Sequence, residues 1–328
     1  MANFFTKQLN PDWYHGKGHK APFFEGWYYK LVNKAQDRKF AIIPGVFIAK
    51  DPKETHAFIQ VLDGVTGTAR YHAVKHFEAV DDAFNVTIGK SNFSRDHIHL
   101  NHADGDGILS GDLTFNGLTP FPVTLTSPGI MGWYGWLPFM ECNHGLVSMD
   151  HELQGTLNMY DETVDFSGGR GYIEKDWGTN FPAGYIWMQS NHFADVGTSL
   201  SASIAVIPSL GRKFPGFIIA FMHNGQLYRF ATYNGSKVSR LHVDDKTVEW
   251  IVYNKNQELA ITAQRAEGGL LKGPEQEAMH MRVDETMKAT VHMRLSILDG
   301  FRKTLIYEGE GKHTGLEVVG DLSMLLRL

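Results

Sequence analysis

A chain of 328 residues with a formal net charge of −5 and no long basic run is not built to neutralise nucleic-acid phosphates. Its single cysteine, Cys142, excludes an intrachain disulfide and points to a reducing, cytoplasmic compartment. No run of about 18 apolar residues occurs, and the first twenty residues lack the apolar stretch of a signal peptide, so no membrane-spanning helix and no leader are expected.

The first distinctive stretch is PFFEGWYYKL, Pro22 to Leu31. Side chains of a strand alternate between its two faces, so Phe24, Gly26, Tyr28 and Lys30 share one face. Glu25 then sits with Trp27 among aromatics on the other. KFAIIPGVFIAK and HAFIQVLDGV follow as strands ended by Gly, Pro and Asp. FNVTIGKSNFS, HIHLNHA and GILSGDLTF continue the pattern. The histidines of HIHLNH have no Cys, Asp or Glu at a recognisable ligand spacing, so they read as exposed strand residues and no metal is expected. Ser127 to Gly145 is a Gly/Pro/aromatic loop too apolar for open water, and it is expected to cover one end of a barrel or a cavity. A hairpin around Asp161-Glu162 leads to the central stretch.

That stretch is GGRGYIEKDWGTNFPAGYIWMQSNHF, Gly168 to Phe193. Glu174, Lys175 and Asp176 stand directly before Trp177 and Gly178. After a Phe-Pro turn, Tyr185, Trp187, Gln189 and Asn191 share one strand face. A face that is both aromatic and polar suits a ligand cavity, although a buried amide paired with backbone would look the same. Beyond it, His223-Asn224-Gly225-Gln226 signals a two-residue hairpin, because Asn-Gly accepts positive φ at both central positions. A further hairpin turns at Asp299-Gly300, and GDLSMLLRL suggests a short terminal helix. Strands every 8 to 12 residues indicate all-β barrels or sandwiches. With no low-complexity linker, a tight boundary near Ala183 would divide the chain into residues 1–183 and 184–328.

Glu25, Glu141 and Glu174 each lie in an aromatic, Gly/Pro-rich neighbourhood. A buried carboxyl group has a raised pKa and can serve as a neutral acid near pH 7. Such an acid facing aromatic rings suits protonation of an electron-rich alkene, with the rings stabilising the cation. It would equally suit a binder of a greasy ring compound. Glu174 and Asp176 share a face, so the charge of Asp176 should push the Glu174 pKa further up, while Lys175 points the other way. A blander role for Glu174 is an ion pair with Arg170 or Lys175.

FFEGWYYK at 23–30, YIEKDWG with FP at 172–182, and W-x-Q-x-N at 187–191 resemble the tocopherol cyclase family, and YNG at 233–235 and LKGP at 271–274 follow in that family's order. Glu25, Trp27, Tyr28, Glu174, Lys175, Trp177, Gly178, Trp187, Gln189 and Asn191 match its motifs. The resemblance implies two packed, lipocalin-like (calycin-type) antiparallel β lobes with little helix. It implies a reaction without cofactor: the prenyl double bond of a methylated prenyl hydroquinone is protonated, and the phenol oxygen closes a chroman ring. Glu174 is then the first choice for the acid, with Glu25 and Asp176 beside it. Trp27, Tyr28, Glu141, Trp177, Tyr185, Trp187, Gln189, Asn191 and His192 would bind the substrate. The pattern is departed from at Asp176, where the plant enzymes have Asn, and at His192, where they have an apolar residue. The shorter chain suggests a bacterial member. A more distant likeness joins the Glu174 segment to the DHNWG segment of carotenoid hydratases, so an alkene hydratase is one alternative and a lipocalin-like carrier of a hydrophobic ligand another. A prenylated substrate also implies contact with a membrane surface.

Overall fold

The computed structural model describes residues 3–138, 140–209, 211–275 and 278–328. Nearly all of its regular structure is strand, in two antiparallel systems, as the alternating pattern predicts. Among the described residues no helix is long and apolar enough to cross a membrane. The chain divides into two compact units, residues 1–181 with 269–283, and residues 182–268 with 284–328.

The first unit opens with a short helix, α1 (Phe4–Gln8). Its strands are β1 (Phe23–Val32), β2 (Lys39–Ile48), β3 (His56–Asp63), β4 (Ala69–Val74), β5 (Phe77–Ala79), β6 (Asn85–Ile88), β7 (Ser91–Ser94), β8 (His97–Asp104), β9 (Gly107–Asn116), β10 (Cys142–Met159), β11 (Glu162–Asp165) and β12 (Gly169–Gly178). They are ordered β4-β3-β2-β1-β12-β10-β9-β8-β7-β6-β5, with β11 beside β10. The sheet curls until β4, at one end of that order, meets the far ends of β8 and β10. There His72 reaches the Asp104 carboxylate at 2.6 Å and the Tyr160 hydroxyl at 2.8 Å. Inside the curl, Trp27, Tyr29, Leu31, Ile42, Ile59, Phe93, Leu113, Leu153 and Ile173 form the core. The expected hairpin after β10 turns one residue early, at Tyr160-Asp161, with Tyr160 at φ 62°.

The second unit carries β13 (Gly184–Ser190), β14 (Ser199–Ser209), β15 (Arg212–His223), β16 (Gln226–Ala231), β17 (Lys237–Val243), β18 (Thr247–Tyr253) and β19 (Gln257–Gln264). After β20 (Gly269–Glu275), β21 (Ala278–Asp299) and β22 (Arg302–Gly320) close the order β16-β15-β14-β13-β22-β21-β19-β18-β17. Ile186 and Met188 of β13 join Ile204, Phe221, Trp250 and Leu259 in its core. Asn224 at φ 49° and Gly225 at φ 71° make the two-residue turn between β15 and β16 that their sequence demands. The terminal helix is a single 3-10 turn, Leu325–Arg327.

A break near Ala183 was expected, with everything beyond it in one unit. The described break falls at Phe181/Pro182, and Gly269–Val283 packs with the first unit. There the backbone of Lys272 exchanges two hydrogen bonds with the buried Gln60 side chain, at 2.7 and 3.2 Å.

Candidate functional site

β12 carries the central motif between β1 and β10, and the two registers decide what its side chains meet. Against β1, Trp177 faces Glu25, Lys175 faces Trp27, and Glu174 faces Tyr28. Against β10, Asp176 faces His144. Gly178 ends the motif at φ 156°, where a Cβ would lie 2.0 Å from the Glu141 carbonyl oxygen. Only glycine permits that approach. The carbonyl it lets in accepts the N–H of Thr179 at 2.8 Å.

On the core face, Glu25 and Lys175 form a fully buried ion pair, with Nζ 2.6 Å from Oε1. The Glu25 oxygens also accept the backbone N–H groups of His15, at 2.9 and 3.0 Å, and of Gly16 at 2.9 Å. Burial raises the pKa of Glu25, but Lys175 and His15 outweigh it and leave it below the ordinary carboxylate range. This corrects the expectation that Glu25 could be a neutral acid. The cause is a partner about 150 residues away that strand pairing brings onto its face. Lys175 lies 4.6 Å from the Trp177 ring and 5.1 Å from the Trp27 ring, both within cation–π range. It also donates to the Trp13 carbonyl and, at 2.7 Å, to Nδ1 of His15. His15 stacks on Trp177 with centroids 4.2 Å apart. Trp27, expected to bind substrate, is a core residue: it is fully buried, stacks on Phe84 and donates Nε1–H to the Asp12 carbonyl at 3.0 Å.

Above this network lies a cavity of about 300 Å³ lined by His15, His19, Phe23, Asn143, Trp177 and Met140, among others. Leu137 and Pro138 of the apolar loop contribute to its wall, as the composition of that loop suggested. Glu141 does not. Its side chain is exposed, because that part of the loop offers its backbone, not its carboxylate, to β12.

The opposite face of β12 holds a different chemistry. Tyr172 donates its hydroxyl to Glu174 Oε2 at 2.5 Å, and both residues are buried. His144 places Nδ1 2.8 Å from Asp176 and Nε2 3.5 Å from Glu174. Burial lowers the pKa of His144, but the carboxylates of Glu174 and Asp176 outweigh it and lift it to about 9. An imidazolium therefore stands between the two carboxylates near neutral pH. Nε2 has no hydrogen-bond partner among the described residues. Of the blander partners, Arg170 holds Asp150, with Nε at 2.8 Å, and Lys175 holds Glu25. Tyr28 and Lys30 lie on this same face of β1 and are buried. The three ligand-type atoms of His144, Glu174 and Asp176 lie within 4.8 Å of one another. Nδ1 of His144 is engaged by Asp176, while Nε2 points toward Glu174 without a hydrogen bond.

Sequence reading missed Tyr172 and His144. Tyr172 had a signal, since it stands two residues before Glu174 and shares its face. His144 had none, because only the pairing of β10 with β12 brings it to Asp176. In the second unit, Tyr185, Trp187 and Gln189 lie on the face of β13 turned away from its core residues Ile186 and Met188. Tyr185 donates to Glu317 at 2.6 Å, and Gln189 is fully buried. Asn191 and His192 follow β13, with the His192 ring 3.0 Å from the Asn191 amide oxygen.

The two histidines give opposite pH signatures. His144 has a folded pKa of about 9 against the ordinary imidazole value of 6.5, so its stabilisation is complete below about pH 6.5 and is lost as pH rises through 9. His15 is pushed down to about 4 by burial and Lys175, so its contribution is complete above about pH 6.5 and is lost as pH falls through 4. Each is worth up to about 3 kcal/mol at 1.36 kcal/mol per pKa unit. Thermal unfolding followed across pH 4 to 10 should weaken towards both ends. His144→Gln should flatten the alkaline limb only, and an unaltered alkaline limb would refute this assignment of charge.

Residues 121–320, more than half of the chain, match the model of a family described as tocopherol cyclase-like. A probable chloroplastic tocopherol cyclase of Oryza sativa subsp. japonica is 26% identical over 172 residues, 48% of this chain and 34% of that protein. The chloroplastic tocopherol cyclase of Zea mays is 24% identical over 208 residues, 58% of this chain and 41% of that protein. The matched region thus spans well under half the length of either relative. Among solved structures, CghA with Sch210972 superposes at a TM-score of 0.56 with 10% identity, covering 91% of this chain and 89% of that one. Kievitone hydratase from Nectria haematococca superposes at 0.50 with 10% identity, covering 90% and 89%. At such identities the likeness is one of fold, and membership rests on the family match: the chain belongs to the tocopherol cyclase-like family.

Proposed function

We propose that this protein is a cyclase of prenylated hydroquinones, and that the Glu174 carboxyl group supplies the proton that starts the reaction. The observation that carries this reading is the row Tyr172–Glu174–His144–Asp176, buried at Tyr172 and Glu174 and half-buried at His144 and Asp176, in which one carboxylate is oriented by a phenol and faces a protonated imidazole. Family membership and the names of the plant relatives support the substrate class.

In the proposed step the imidazolium of His144 passes its Nε2 proton to the Glu174 carboxylate, and the alkene π pair takes that proton from Glu174, forming a C–H bond and a tertiary carbocation and leaving His144 neutral. A lone pair of the phenol oxygen then forms the C–O bond of the chroman ring. The phenol proton returns to the Glu174–His144 pair, so the product is an isomer of the substrate and no oxidant or reductant is needed. Tyr172 fixes the carboxyl group through its 2.5 Å hydrogen bond. Asp176 holds Nδ1 of His144 and so aims Nε2 at Glu174. Tyr28 and Tyr172 bring aromatic rings to this face, where cation–π attraction would stabilise the carbocation.

Incubation with a prenyl hydroquinone tests the reading. The expected product is a chroman of unchanged mass. A product heavier by one water would make the protein an alkene hydratase, and bound but unchanged substrate would make it a carrier.

A further inference from the structure

We propose that His72, His102 and Asp104 form a binding site for a divalent ion of the zinc type, at the end of the first unit remote from Trp177. β10 runs between the two ends: Cys142 pairs with Gly178 beside Trp177, whereas Met159 leads directly into Tyr160. His72 comes from β4, and His102 and Asp104 from the end of β8. Leu100, which shares their face of β8, is a core residue, so the set faces the inside of the curled sheet.

Nδ1 of His72 lies 2.6 Å from Asp104 Oδ2, and Nε2 of His102 lies 3.1 Å from the same oxygen. One donor atom from each residue falls within 4.8 Å of the other two. Tetrahedral ligands at about 2.0–2.1 Å from zinc stand about 3.3 Å apart, so an ion is admitted by shifts of less than about 1 Å. Two imidazoles and one carboxylate are a common donor set for such an ion, with water in the fourth position. The solvent side is available for that water, since the Asp104 side chain is 34% exposed and that of His102 16%, while that of His72 is wholly buried.

The atoms turned away from the centre are also held. Tyr160 takes the outer nitrogen of His72 at 2.8 Å, and Asp104 Oδ1 accepts the Asp106 N–H at 2.9 Å. Outer partners of this kind orient metal ligands and set the tautomer of a ligating histidine. Arg70, 4.0 Å over the Tyr160 ring, fixes the phenol in turn. An ion here would fasten the hairpin tip after β8 to β4, the terminal strand of the sheet order. The run HIHLNH alone does not reveal the site, because the third ligand comes from a strand thirty residues earlier.

The test is metal stoichiometry on the full chain. Chelator-treated protein is equilibrated with zinc and assayed by atomic emission after gel filtration, and cobalt(II) binding is followed by visible absorption. Wild type should retain one equivalent at the cluster. His102→Ala, or Asp104→Asn if the first variant fails to fold by circular dichroism, should weaken binding at least about 100-fold. Tyr160→Phe, which removes only an outer partner, should weaken it about 10–100-fold. His144→Gln should bind as wild type does. Absence of stoichiometric zinc in the wild type, full binding by His102→Ala and Asp104→Asn, or loss in His144→Gln alone would overturn the proposal.

Discussion

Replacing Glu174 by Gln is expected to lower turnover per folded molecule by about 10²–10⁴-fold, the usual worth of a positioned general acid, with ligand binding close to that of wild type. The substitution keeps shape and volume, and the Tyr172 hydroxyl can still donate to the amide oxygen. What disappears is the ability to release a proton to carbon. Asp176→Asn should cost much less, because an amide oxygen can still accept from Nδ1 of His144 across the present 2.8 Å. The competing outcome is equally definite. If Glu174 only ties β12 to β10 through His144, Glu174→Gln will lower the melting temperature and leave turnover per folded molecule intact.

The second large effect is on stability. Lys175→Met should destabilise the protein by about 3–5 kcal/mol, the range for breaking a buried ion pair by removing one partner. It leaves the Glu25 carboxylate fully buried and without its Lys175 counterion, held by the backbone N–H groups of His15 and Gly16 with the His15 ring nearby. The double variant Glu25→Gln/Lys175→Met should recover much of the loss, because neither charge then remains to be desolvated. Urea unfolding midpoints of the single and double variants measure this coupling. A Lys175→Met protein within about 1 kcal/mol of wild type would show that the pair holds little of the fold together.

These two predictions fall on opposite faces of one strand, and that much was legible from period two alone. The alternation puts Glu174 and Asp176 on one side and Lys175 with Trp177 on the other, as the registers with β1 and β10 have them. The strands and the Asn224-Gly225 hairpin were legible for the same reason, since their signals are local. What the sequence withheld is the identity of cross-strand neighbours. Glu25 reads as a carboxyl among aromatics, and the aromatics are there, but its energetics are set by Lys175, which arrives through strand pairing. His144 was visible only as a neighbour of Cys142, yet it meets two carboxylates. Glu141 shows the converse error: aromatic neighbours in sequence do not bury a side chain when the loop turns it outward. Trp27 is similar, because a tryptophan in a Gly-rich strand fits a close-packed core as readily as a cavity wall.

The central claim is that the alkene takes its proton from the Glu174 row, which exchanges with solvent between turnovers. Running the cyclisation of a prenyl hydroquinone in heavy water tests it most directly. The expected product is a chroman carrying one deuterium on the ring carbon next to the newly formed C–O centre, formed by wild type and nearly absent with Glu174→Gln. A chroman without solvent deuterium, or one formed equally fast by Glu174→Gln, would contradict the assignment.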